Sequence, residues 1–432
     1  MSQHSQFRLF AQRRFLPFYL TQFSGAFNDN LYKNALLLLI TYGAGDVLGL
    51  SVNLIVNLAA FLFILPFFLF SGVAGQVADR YEMSTIIRLV KLAEIVIMGL
   101  AAVGLWFGWW GWLLVLLFLM GTQSTFFGPV KYAILPKVLD DSELVGGNGL
   151  VGMGTFVAIL LGTIAAGLIM GLDQAARVTA VAVVAMAVAG YLAARQVPWA
   201  GSDNPDLVVR VRPLRDTWQL MGVAAERRHV LQAVLAISWF WFLGAAYLTQ
   251  FPNFARTWLA GDETVVTLLL ALFTIGIAVG SMLCERLTRH RISLTPVPWG
   301  ALGLTLFGID VYLAVPEVPQ ASDWWRLLTD PAYRRVLIDL TAIGVCGGLF
   351  IVPLYAYIQH ETPDNRRARI IAALNVINAL FMVASALCGM LLLGGLEMTI
   401  PAFFLSLSLI NGLVLPVVVR LHRRNHRLTV DN

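Results

Sequence analysis

The sequence predicts an all-α membrane protein of twelve transmembrane helices in two pseudo-symmetric six-helix bundles. Three observations lead to that class. The chain of 432 residues is 58% hydrophobic and 13% charged, with a mean hydropathy of +0.76, whereas a soluble domain carries about 25% charge. It holds a succession of apolar runs long enough for a bilayer core, which takes about 20 residues, and the polar faces that a soluble helical protein would need between them are absent. Finally, Gly75-Gln-Val-Ala78-Asp79-Arg80 follows one apolar run, and a worn copy, Gly280-Ser-Met-Leu-Cys284-Glu285-Arg286, follows another. A repeated acidic–Arg pair after equivalent runs marks two related halves with a site between them.

The spans fall near residues 15–43, 51–78, 84–107, 110–134, 149–171, 176–194, 230–256, 264–284, 295–315, 336–359, 370–394 and 399–419. Arg8, Arg13 and Arg14 precede the first, as in a signal peptide. That run is too long, holds Asp29 and Lys33, and lacks a small-x-small cleavage site, so it is expected to stay as a helix. Span two carries Asn53 and Asn57, four apart on one face, and leads into the acidic–Arg loop. Span three carries Lys91 and Glu94. Trp106, Trp109, Trp110 and Trp112 surround the tight turn after it, where interfacial aromatics belong. Spans four and ten end at Pro129 and Pro353. Spans five and eleven open at Asn148 and Asn375, each followed fourteen residues later by glycine, Gly162 and Gly389. The one long polar stretch, 195–229, divides the chain into bundles at 1–194 and 230–420, with a tail at 421–432.

Charge sets the expected orientation. With both termini cytoplasmic, 24 lysines and arginines lie on the cytoplasmic side, five lie outside, and Lys33 lies within a span. This is a strong positive-inside bias. The net charge of +5 therefore reflects topology and anionic lipid neighbours. Nucleic-acid binding would need the basic residues on one surface, and here they are spread over seven segments. Cys284, Cys346 and Cys388 show no pairing or metal-ligand spacing. All six histidines fall in cytoplasmic segments, so no buried histidine is expected.

The chemistry concentrates in Asn28-Asp29-Asn30-Leu-Tyr32-Lys33-Asn34, inside span one. A charge at mid-depth costs on the order of 2.5–3.5 kcal/mol by insertion scales. Asp29 and Lys33, four apart with the acid first, share a face and can offset each other. One reading is a self-neutralising pair that fixes packing. The other is a cavity where one partner and the asparagines bind a zwitterionic or anionic head group, and the three asparagines favour it. Gln123, Ser124 and Thr125 in span four, Gln250 and Asn253 in span seven, and Asn375 and Asn378 in span eleven are individually ordinary interhelical glue. Together with Asn53 and Asn57 they suggest a polar-lined centre. Glu94, three residues after Lys91, reads as a structural pair, with proton coupling through Glu94 or Asp29 as the other reading. Gly75, Asp79, Arg80, Glu285 and Arg286 read as conformational hardware, each carboxylate gripping a neighbouring helix start and an arginine of its own half. Gly167-x-x-x-Gly171 and Gly276-x-x-x-Gly280 allow close helix approach. A seam that parts to admit a lipid is the sharper reading of the two.

The first half of the loop resembles the motif of the major facilitator superfamily, Gly-x-Leu-Ala-Asp-Arg-x-Gly-Arg-Lys. Glu82, Met83 and Ser84 stand where that motif has its glycine and two basic residues. Four segments resemble the bacterial lysophospholipid transporters: Gln22-Phe-Ser-Gly-Ala-Phe-Asn-Asp29-Asn30, Gly75-Gln-Val-Ala-Asp79, Pro129-Val-Lys131-Tyr132-Ala-Ile-Leu135 and Gly344-Val-Cys-Gly-Gly-Leu-Phe-Ile-Val-Pro353. The resemblance implies inward movement of lysophospholipid, notably lysophosphatidylethanolamine, across the bacterial inner membrane for reacylation. It also implies that Asp29 is the first-helix acid of the substrate site and Lys131 the lysine after the fourth-helix proline. The run from Ser238, Ser-Trp-Phe-Trp-Phe-Leu-Gly-Ala, resembles relatives fused to an acyltransferase and an acyl-carrier-protein ligase. The chain stops at Asn432, so such an enzyme is expected as a separate partner.

Enzyme readings fail on the residues. No histidine has an aspartate five positions on, no Gly-x-Ser-x-Gly occurs, and none of the four lysines precedes Ser or Thr, so no phosphate-cradling loop exists. No cofactor is called for. The expected function is secondary transport of lysophospholipid by alternating access. Asp29, Asn30, Lys33 and Lys131 would engage the head group, and Asn53, Asn57, Gln250 and Asn375 would line the site. The rivals are a proton-coupled carrier of another amphiphile or drug, and a non-transporting scaffold for an acyltransferase docked on 195–229.

Overall fold

A computed structural model describes residues 6–43, 52–316 and 323–430. Twelve long helices dominate: α1 (Leu16–Gly43), α2 (Val52–Arg80), α3 (Met83–Phe107), α4 (Trp110–Ala133), α5 (Asp141–Met170), α6 (Ala175–Ala194), α7 (Arg228–Trp258), α8 (Glu263–Thr288), α9 (Pro296–Ala314), α10 (Arg334–Glu361), α11 (Asp364–Gly389) and α12 (Ile400–Val430). No strand occurs among the described residues. Ten of the twelve are long and apolar enough to cross a membrane. The remaining two are α1 and α3, which carry Asp29, Lys33, Lys91 and Glu94. The chain is a multi-pass membrane protein.

Several helices outrun their apolar spans. α5 starts at Asp141, with Asp141 and Glu143 in its first turn, and α11 starts at Asp364. Carboxylates suit the positive end of the helix dipole, so the helix continues past the hydrocarbon. Prolines inside α2, α4, α7, α10 and α12 are carried within the helices, as neighbouring helices allow in membranes. Glu82 explains the departure from the superfamily loop pattern. Its carboxylate caps α3 by accepting from Ser84 N (2.8 Å) and Thr85 N (2.7 Å), and it also accepts from Ala200 N (2.9 Å). Burial pushes its pKa up, but the hydrogen bonds from Ala200, Ser84 and Thr85 together win and hold it at about 2.

The chain packs as two compact units. The first comprises Met1–Asp140, Val157–Glu226 and Thr362–Val376; the second comprises Asp141–Phe156, Arg227–Glu361 and Ile377–Asn432. The core of the first runs through Leu36, Ile97, Met98, Leu113, Leu117 and Val183, from α1, α3, α4 and α6. Gly121 of α4 sits against the Phe63 carbonyl of α2, and Gly162 of α5 against the Phe27 carbonyl of α1, with no room for a Cβ at either.

In the second unit α8 and α10 cross backbone to backbone. Gly276 and Gly280 face the carbonyls of Thr341 and Val345, while Gly344 and Gly348 face those of Phe273 and Ile277. The small-residue motif of span eight thus makes the close approach expected of it. Gly167 and Gly171 do not: nothing lies within 4 Å of a Cβ on Gly167, and Gly171 meets only its own Leu168 carbonyl. Spacing alone does not say whether another helix crosses there. One histidine also departs from expectation: His229, in the first turn of α7, is buried and pairs with Glu361 at 3.2 Å.

Gly280→Ala would press a methyl onto the Val345 carbonyl, and such overpacking costs about 1–3 kcal/mol. The melting temperature of the purified protein in detergent is expected to fall by several degrees, while Gly167→Ala leaves it unchanged.

Candidate functional site

The charged helices α1 and α3 meet in one polar network. Lys91 and Glu94 of α3 form an ion pair of 2.6 Å, each side chain only 1% exposed. Asn28 Nδ2 of α1 donates to Glu94 Oε1 (2.8 Å), and Gln123 Nε2 of α4 donates to Glu94 Oε2 (3.2 Å). Ser124 Oγ lies 2.7 Å from Asp29 Oδ2 and 3.1 Å from Gln123 Oε1. Asp29 is thereby tied to the buried pair through the Ser124–Gln123 step. Missing side chains make the space for Lys91: a Cβ on Gly25 would come within 2.5 Å of its Nζ, and one on Gly190 within 3.6 Å of its Cδ. The Phe127 ring lies 5.5 Å from the ammonium.

Asp29 and Lys33 do not form the ion pair that their spacing suggested. Lys33 Nζ reaches Asn30 Oδ1 at 3.5 Å and sits over the Phe63 ring at 5.5 Å. The i, i+4 spacing puts both charges on one face, but the Ser124 hydroxyl on α4 takes the carboxylate. The other oxygen, Oδ1, is buried without a hydrogen-bond partner. Asp29 still acts electrostatically on Lys33 and on Lys131. Lys131 is half-buried in the last turn of α4, beside the Tyr132 ring.

The remaining residues divide. Asn30 Nδ2 donates to the Ala26 carbonyl of its own helix (2.8 Å), and Asn34 ties α1 to Thr163 of α5 (2.9 Å). Asn375, from α11, lies against Gly128, one turn before Lys131. Asn57 is exposed on α2. Asn53 also lies in α2, with its side chain outside the described residues. Gln250 is half-buried in the second unit, facing Gly389. There Asn148 and Gln359 exchange two hydrogen bonds of 2.6 and 3.0 Å.

The acidic–Arg loop differs from expectation in its partner. Asp79, fully buried at the end of α2, accepts from Arg369 Nε of α11 at 2.6 Å, not from an arginine of its own half. A carboxylate at a helix C-terminus opposes the dipole and needs a cation. That signal was present in the sequence, but the identity of the cation was not. Gly75 backs onto the Arg369 Cα, where a Cβ would be 3.2 Å away. Arg80 donates instead to the Leu207 carbonyl (2.8 Å), and Asp203 N and Asn204 N donate to the Asp79 carbonyl (3.1 and 2.8 Å). In the worn copy, Glu285 pairs with His290 at 3.2 Å and Arg286 is exposed. Among the described residues no cluster of three or more His, Cys, Asp or Glu side chains could hold a metal.

The family model described as Major Facilitator Superfamily matches residues 18–386. Curated relatives include the lysophospholipid transporter LplT of Cronobacter sakazakii, 28% identical over 346 residues, and that of Citrobacter koseri, 27% identical over 343 residues. The first alignment covers 79% of both chains and the second 79% of this chain and 78% of the relative. Among solved structures, the human organic anion transporter MFSD10 superposes with a TM-score of 0.72 at 11% identity, covering 94% of this chain and 99% of that one. FucP in its outward conformation gives 0.71 at 12% identity, covering 95% and 99%. At such identities these two speak for the fold alone.

Removing one member of a buried ion pair costs about 3–5 kcal/mol, because it strands the other charge. Glu94→Ala is therefore expected to cut thermal stability sharply. Lys91→Met combined with Glu94→Leu should recover most of that loss, read as melting temperature in detergent.

Proposed function

The chain belongs to the major facilitator superfamily, and from that premise we propose that it is a secondary transporter of lysophospholipid, such as lysophosphatidylethanolamine, in the bacterial inner membrane. The observation that carries the reading is the half-satisfied carboxylate of Asp29 in α1, in a chain whose curated relatives are named lysophospholipid transporters. An unpartnered buried acceptor is costly, and an ammonium group would satisfy it. Lys33 and Lys131, electrostatically coupled to Asp29, would then take the phosphate. Asn30, Asn53, Asn57, Gln250 and Asn375 would complete the polar lining, and apolar helix faces would accept the acyl chain.

Glu94 fits a supporting role better than a proton-carrying one, since Lys91, Asn28 and Gln123 already satisfy it. Gly75, Asp79 and Arg80 serve as the latch. Asp79 and Arg369 come from opposite halves of the chain, and alternating access would break and remake their contact. Glu285 and Arg286 would act at the repeat-related position. Both termini are cytoplasmic in this reading, and a separate acyltransferase or acyl-carrier-protein ligase would consume the imported lipid.

Uptake of labelled lysophosphatidylethanolamine into spheroplasts tests the site. Asp29→Asn and Asp29→Ala are expected to lower uptake at least about tenfold, the scale of one lost charge-assisted hydrogen bond, while a protonophore leaves the wild type active. Uptake retained by both variants would remove Asp29 from the site. For the latch, Asp79→Arg and Arg369→Asp should each slow transport, and the combined swap should restore much of the rate.

A further inference from the structure

We propose that the connector at residues 207–218 is a foot that docks on a bilayer surface rich in anionic lipid, and that docking steadies the α2–α11 contact to which the connector is tied. The sequence marks this stretch only as polar. The structure folds part of it into a 13-residue helix, Pro213–Ala225. One face of that helix is committed to the protein: Asp216, Thr217, Leu220 and Ala224 are buried, and Leu220 and Ala224 pack with Ala372 and Ala373 of α11. Gly72 of α2 lies directly against the Asp216–Thr217 backbone.

Two large apolar side chains stand on the outer face, beside the exposed Arg215 and Gln219. Leu214 and Trp218, one turn apart, are 68% and 80% exposed, and Val208 and Val211 are also exposed in the segment leading in. Arg210, Arg212 and Arg215 are interleaved with them and point to solvent. Asp206 is exposed and offsets one of these three arginines, while the other nearby acids are engaged elsewhere. Asp203 is bound to Lys137, Asp216 is buried and accepts from Arg212 N, and Glu226 pairs with Arg366. An exposed apolar stripe flanked by arginines is the pattern of a helix lying in the head-group layer. Tryptophan prefers that depth, and arginines near the surface draw anionic lipid. The helix already lies beside two membrane-crossing helices, so the bilayer is the nearest apolar surface available to it.

The connector and the residues just before it hold the end of α2. Asp203 N and Asn204 N cap the Asp79 carbonyl, Leu207 O receives Arg80, Arg210 N donates to Gln76 Oε1 (3.0 Å), and Thr217 Oγ1 lies 3.3 Å from Gly72 N. A foot seated on the bilayer would hold these bonds in place and with them the end of α2.

The test is amide exchange of residues 207–218 in the full-length protein, in nanodiscs of phosphatidylcholine alone and of phosphatidylcholine with phosphatidylglycerol. Exchange is expected to slow in the anionic discs. Arg210→Gln, Arg212→Gln and Arg215→Gln together should remove that gain, by roughly tenfold in protection. Leu214→Ser with Trp218→Ser should remove it too, while melting temperature in detergent stays unchanged because both side chains face out. Equal exchange in the two lipids, or a gain that survives the arginine substitutions, would overturn the docking. An unchanged first turn of α11 in anionic discs would overturn its steadying effect. Exchange does not depend on which substrate is carried, so its outcome is separate from that of the uptake assay.

Discussion

The first unit is organised around one constraint: a carboxylate and an ammonium, Glu94 and Lys91, held out of water in the middle of a helix bundle. Ions in such surroundings are tolerated only with full partnership. Four helices meet that demand. α3 supplies both charges, α1 supplies Asn28, α4 supplies Gln123 and Phe127, and α6 and α1 supply the glycines that leave room for the lysine stem. The rotation of α1 needed to aim Asn28 at Glu94 also aims the next residue, Asp29, at Ser124. The candidate site therefore inherits its geometry from the ion pair behind it.

The second unit solves its packing problem differently. Where α8 and α10 cross, four glycines remove the side chains and let carbonyls face opposing backbone. In lipid there is no hydrophobic gain from bringing apolar helices together, so contact area and small residues carry the association. One unit thus relies on a buried polar network and the other on a backbone crossing. The acidic–Arg loops diverge in the same way. Asp79 is buried against an arginine of α11, and Glu285 makes its contact with a histidine just beyond its own helix.

Much of the polar network was visible as residues but not as bonds. Lys91 and Glu94 are three apart on one helix, and helical geometry alone brings such residues together. Asp29 and Lys33 are four apart and could have met by the same rule, yet Ser124 lies across the helix gap and takes the carboxylate. Local spacing states what can be reached, not which of several partners prevails. The Gly167 pair shows the same limit, since a small-residue motif needs a crossing helix before it does anything. The connector helix was missed although its stripe was there to be read: Leu214, Trp218, Leu220, Met221 and Ala224 recur at helical spacing, inside a stretch whose prolines and mixed charges read as a polar linker.

Sequence by itself determined the membrane class, the twelve helices and the few places where a charge sits within an apolar span. These follow from costs that add residue by residue along the chain. Tertiary structure alone decided which groups meet: Asn28 with Glu94 across 66 positions, Ser124 with Asp29 across 95, and Arg369 with Asp79 across 290. Those partnerships depend on how each helix is rotated and how closely it approaches its neighbours, and hydropathy carries no record of either.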